Sequence, residues 1–66
     1  MGEIRVPADV LEGLEFVRDS GETNMLDRSA VEQIALRNGY SAAAAWVRAN
    51  GRLYAEGVFR GFEAEA

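Results

Sequence analysis

The sequence has no cysteine, no histidine and no lysine; all seven of its basic side chains are arginine. Without cysteine a small fold cannot be stapled by disulfides, and without cysteine and histidine the usual zinc and haem ligands are missing. The same absences remove the ordinary base from a hydroxyl nucleophile, so Ser20, Thr23, Ser29 and Ser41 read as capping and turn residues. Glu22, Asn24 and Asp27 lack the dense Asp alternation of a calcium-binding loop. No apolar run approaches the ~18 residues of a membrane span. The stretch MGEIRVPADV also lacks the basic-then-apolar order of a secretory leader. These exclusions lead to the expectation of a cytoplasmic protein with no cofactor, metal or membrane association, and not an enzyme.

What remains is a chain of 66 residues, read as a single small domain over residues 1–66. A domain of this size buries only about 60% of the surface its unfolded chain exposes. Its core is therefore marginal, and with disulfides and metals excluded the expected reinforcement is a partner or a second copy, that is, a homodimer. The net charge of -4 is unevenly spread: residues 1–28 hold seven acids and three arginines, while residues 29–66 hold four of each. An acidic N-terminal half repels nucleic acid and favours a protein partner with a basic surface.

Hydrophobic spacing places the helices. Pro7 suits the first turn of a helix, and Val10, Leu11, Leu14 and Val17 then recur at helical intervals, predicting a helix over residues 7–20 that ends at Gly21. Asp27 is a candidate cap for a second helix, with Leu26 packing on Val31 as a hydrophobic staple; Ser29 with Glu32 is the rival start. The stretch RDSGETNMLD, residues 18–27, then reads as a corner between two helices, with Asn24 suited to a turn and Met25 to an irregular gap in the core. The second helix carries Val31, Ile34, Ala35 and Asn38 on one face and stops at Gly39. Ser41 is the expected cap of a third, AAAAWVRAN, and Leu53, Tyr54, Gly57, Val58, Gly61 and Phe62 fit a fourth followed by a frayed acidic tail, FEAEA. No strand pattern is visible. The fold expected is all-α, a compact orthogonal bundle of three to four short helices with a helix-turn-helix-like pair, around Leu14, Val17, Val31, Ile34, Ala35, Trp46, Leu53 and Val58.

Two surfaces stand out. At ~100° per residue, Glu12, Glu15 and Asp19 share one sector of the first helix, with Asp9 at its edge and Phe16 inside it. With Glu22 just beyond, this is a candidate contact face: an aromatic anchor ringed by acids. The alternative lies in residues 31–52, VEQIALRNGYSAAAAWVRANGR, which look like the helix-turn-helix of AraC-type transcription activators at Ile34-Ala35, Gly39-Tyr40-Ser41, Trp46 and Arg48. On that reading Arg37, Arg48 and Arg52 hold DNA phosphates, although Ala42, Ala43, Ala44 and Ala45 occupy the start of the helix that would read bases.

The run Arg18-Asp19-Ser20-Gly21-Glu22-Thr23-Asn24-Met25, followed by Asp27, Val31, Ile34-Ala35, Gly39-Tyr40 and Tyr54, carries a further likeness. Over residues 10 to about 61 the chain resembles a small family of unknown function found in bacteriophages, prophages and their hosts. In that family the third helix is usually bulkier and more acidic than the alanines here. The resemblance implies a mobile-element setting, in which small acidic proteins act by occupying a host protein's surface, inhibitors of CRISPR–Cas components among them. The leading expectation is therefore a non-enzymatic anti-defence protein working through Glu12, Glu15, Phe16, Asp19 and Glu22. A helix-turn-helix regulator is the alternative.

Overall fold

The first helix, α1 (Ala8–Ser20), begins after Pro7 and ends at Gly21, whose left-handed φ of 67° turns the chain at the cost only glycine avoids. The computed structural model describes residues 2–65. The polar corner leads to α2 (Arg28–Arg37), and here Asp27 is the cap: its side chain accepts the Ala30 N–H at 3.2 Å. The Ser29–Glu32 alternative is not used. A three-residue turn, residues 38–40, leads to α3 (Ser41–Ala49), and Asn50 alone separates α3 from α4 (Gly51–Arg60). Asn38 and Asn50 end their helices in the same way, each Nδ2 donating to the carbonyl four residues back, Ile34 and Trp46.

Three expected local details differ. Tyr40, not Ser41, is the N-cap of α3, and no side chain caps that end. Leu26 is no staple; it is 53% exposed, and Met25 is the residue that turns towards the core. The fourth helix starts at Gly51 because Asn50 offers its carbonyl to the Tyr54 N–H at 2.8 Å, leaving Leu53 on the outside at 42% exposure.

The larger correction is a small sheet. β1 (Ile4–Val6) and β2 (Phe62–Ala64) pair in parallel, with Ile4 opposite Phe62, Arg5 opposite Glu63 and Val6 opposite Ala64. Parallel strands need a long crossover, and here the four helices together supply it. Three-residue strands carry no readable alternation, so the segment FEAEA looks like a frayed tail in isolation. Through residue 65 it is tied down: Ile4 N–H donates to Gly61 O at 2.9 Å, Glu65 N–H donates to Val6 O at 2.8 Å, and Arg5 pairs with Glu63 at 3.2 Å. Ala66 lies outside the described residues. Among the described residues the bundle is thus mainly helical, with four helices and this seam between β1 and β2.

One cluster forms the core: Val6, Val10, Leu14, Val17, Val31, Ile34, Ala35, Ala43, Ala44, Val47 and Tyr54. Trp46, expected at the centre, lies at its margin with its ring edge-on to Phe62, centroids 6.1 Å apart, and Val58 is likewise only partly buried. Val47 and Tyr54 take the central places. Helices α1 and α3 approach closely at Gly13: a Cβ built there would lie 2.5 Å from the Ala43 Cβ and 2.9 Å from that of Tyr40. Small residues on both sides set this crossing, which is the structural use of the alanine run. At the other end the Phe62 ring covers Gly57 and stacks on Tyr54 at 5.8 Å, fastening β2 to α4.

Candidate acidic interaction face

The inner sector of α1, with Val10, Gly13, Leu14 and Val17, is buried, and the helical repeat turns Glu12, Glu15 and Asp19 outward on the opposite side. All three are exposed. Among the described residues Glu12 and Glu15 have no ion-pair partner, whereas Asp19 is held by its neighbour Arg18 at 3.2 Å. Asp9, at the edge of the stripe, turns back to accept the Val10 N–H at 2.8 Å, in the first turn of α1 where the helix dipole favours an acid. The free negative charge of the face is therefore centred on Glu12 and Glu15.

Phe16 is 36% exposed and leans on the Tyr40 ring, with centroids 5.1 Å apart and planes tilted by 35°. It is not a free knob but one half of an aromatic pair that joins α1 to the start of α3. Its remaining surface borders the acids, and packing on Tyr40 restrains the ring, which lowers the entropy a contact there would lose.

On the other flank of the stripe lies a cavity of about 130 Å³ between α1, the corner and the closing seam. Leu11, Met25, Val58 and Phe62 give it an apolar lining, and the exposed Glu15 and Arg18 stand at its mouth. Sequence reasoning missed this hollow because its walls come from residues up to 51 positions apart, counting from Leu11 to Phe62. No local spacing signals it.

The corner, residues 22–27, is held by local bonds and by two that reach other helices. Asn24 Oδ1 accepts the Leu26 N–H at 2.8 Å, and Ser20 Oγ donates to Val17 O at 2.7 Å. The buried Tyr54 hydroxyl donates to the Met25 carbonyl, anchoring α4 beneath the turn. Burial pushes the Tyr54 phenol up from its ordinary value to about 12. Glu22 reaches across to Arg37, so an acid of the expected contact face and an arginine of the expected DNA face neutralise each other.

The remaining arginines are dispersed. Arg48 stands exposed near the end of α3 and Arg52 at the start of α4, and neither pairs with an acid among the described residues. At the start of α3, Ala43 and Ala44 are buried and only Ala42 and Ala45 face outward. A short turn does join α2 to α3, but at the outward start of α3 only Ser41 offers a polar side chain, beside the methyl groups of Ala42 and Ala45. Arg28, which the spacing did not single out, points its Nη1 at the Val47 carbonyl from 3.4 Å, placing a cation at the C-terminal end of α3.

Among the described residues no cluster of His, Cys, Asp or Glu is arranged to hold a metal ion, and no helix is long and apolar enough to cross a membrane. No curated protein and no solved structure matches the chain. One family model does match, over residues 8–61, a span that takes in all four helices and stops short of both strands. The chain belongs to that family, the domain of unknown function DUF5049.

Proposed function

We propose that this protein is a non-enzymatic interaction protein of a phage or other mobile element, and that it inhibits a host protein by covering a basic surface with the outer face of α1. The observation that carries this reading is the Glu12–Glu15 pair, without ion-pair partners among the described residues and one turn apart on α1, flanked by the Phe16–Tyr40 aromatic pair and by an apolar hollow. Carboxylates spaced along a helix imitate the charge of successive phosphates, so an arginine-rich nucleic-acid groove is the kind of surface that fits. A CRISPR–Cas component is a host target of this kind. The hollow beside Glu15 suits the aliphatic stem of a partner's arginine or lysine, whose charge then meets the carboxylate.

The test is capture of host proteins from a nuclease-treated lysate by the immobilised wild type and by a Glu12→Arg, Glu15→Arg variant. A stoichiometric protein retained by the first and lost by the second, at equal helicity by circular dichroism, is the expected result. Equal capture by both would sink the reading.

The second reading, a DNA-binding regulator, has the α2–turn–α3 pair in its favour. It requires Arg37, Arg48 and Arg52 on phosphates, with a binding constant that falls steeply with salt and a slope that shrinks when one of them is removed. A flat salt response, or no complex on any duplex at low salt, excludes it.

A further inference from the structure

The α2–α3 pair presents an outer groove of about 530 Å³ that the acidic-face reading does not use. Its floor is Ala44, Ala45 and Ala49; Leu36, 60% exposed, stands on one wall, and Glu32 and Arg48 occupy the two helices that frame it. Neither Glu32 nor Arg48 has an ion-pair partner among the described residues. An alanine floor beside a large exposed leucine is a hole next to a knob. A free acid on one wall and a free base on the other make the groove self-complementary.

We infer that this groove is the contact between two copies of the chain. The short turn joins the end of α2 to the start of α3, and Arg28 near the start of α2 reaches Val47 near the end of α3, so the two helices run back along each other. A two-fold axis along the groove then lays α2 of each copy on α3 of the other. Leu36 of one copy rests on the alanines of its mate, and Glu32 faces Arg48 twice, once in each direction, as an isologous interface requires. Charge decides which face of this acidic protein can meet itself. Residues 1–28 carry the whole net charge of -4, and α1 packs on the Ala43 side of α3, about 200° around the helix from Ala45. Pairing through the groove therefore keeps the two acidic α1 faces on the outside, away from each other, and free for a partner. Ala45, which offers a base only a methyl group, is part of the surface this contact uses.

Sedimentation velocity over a wide concentration range tests it. The wild type is expected to show a monomer–dimer equilibrium, Leu36→Asp a monomer, and Glu32→Arg or Arg48→Glu alone a dimer weakened by at least about tenfold. The double variant Glu32→Arg, Arg48→Glu restores the wild-type constant, because the pair is exchanged and not lost. Ala45→Arg, an exposed helical position, is the second way to block the floor should Leu36→Asp lower helicity. Glu12→Arg with Glu15→Arg leaves the dimer in place, which separates this inference from the acidic-face reading. A chain monomeric throughout, a dimer indifferent to both Leu36→Asp and Ala45→Arg, or a double variant no better than the singles overturns it. So does a monomer that uses Arg48 to bind duplex DNA.

Discussion

Helix α1 has two faces, built in the same thirteen residues, in opposite surroundings. The inner face, Val10, Gly13, Leu14 and Val17, is buried in the core, and at Gly13 it meets Ala43 and Tyr40 with no room for a methyl group. The outer face, Glu12, Glu15 and Asp19, touches little of its own molecule. Substitutions on the first are expected to be felt in stability and, on the proposed function, those on the second in association. The contrast teaches how one helix can be divided between a face that holds the fold together and a face left open to solvent.

The largest expected effect comes from breaking the inner face. Leu14, 2% exposed, replaced by Ala removes core volume from the centre of the bundle and costs about 2–5 kcal/mol, read as a fall in urea midpoint. For 66 residues the total stability is on the order of 3–10 kcal/mol, so this variant is close to unfolding. Gly13→Ala attacks the same face from the opposite direction. The added methyl must push apart Ala43 and Tyr40, neither of which can rotate its Cβ out of the way, at about 1–3 kcal/mol.

Tyr54→Phe is next. It leaves the Met25 carbonyl without its buried donor and loosens α4 from the corner, costing about 1–2 kcal/mol in thermal or chemical unfolding. The same group gives an alkaline signature. Its folded pKa lies above the ordinary 10, so the stabilisation is whole below pH 10 and is lost as pH rises towards about 12. Stability measured across that window should fall in the wild type, and the Tyr54→Phe variant should lack this contribution.

The inner face of α1 was legible in the sequence because its apolar residues recur at helical spacing and its end is marked by Gly21. The same holds for the Asp27 cap and for the turn between α2 and α3. The outward placement of Glu12, Glu15 and Asp19 followed from the same periodicity. The seam was not legible: Ile4 meets Phe62 across 58 positions, and three residues are too few to show an alternating pattern. For that reason Val6 and Tyr54 were missing from the expected core and Trp46 was placed too deep, while Leu53 lies outside because α4 starts at Gly51. The apolar hollow beside Glu15 shares this cause, since Val58 and Phe62 reach it only once the seam has formed. The pairing of Glu22 with Arg37 was hidden for a different reason. Fifteen positions separate them, and only the sharp corner brings them together.

That pair supplies the smallest effect. Glu22→Gln breaks an exposed ion pair and is expected to change stability by no more than about 0.5 kcal/mol. It also releases Arg37, so any affinity for duplex DNA should rise slightly in a low-salt titration.

The most direct test of the two-faced helix measures stability and association together on one pair of variants. Leu14→Ala and Glu12→Arg with Glu15→Arg are taken through urea unfolding and through capture of the host partner from nuclease-treated lysate. The account predicts that the charge reversal stays within about 0.5 kcal/mol of wild type and loses the partner, while Leu14→Ala, in conditions where it remains folded, retains it. A charge-reversed protein that still captures the same partner would contradict it.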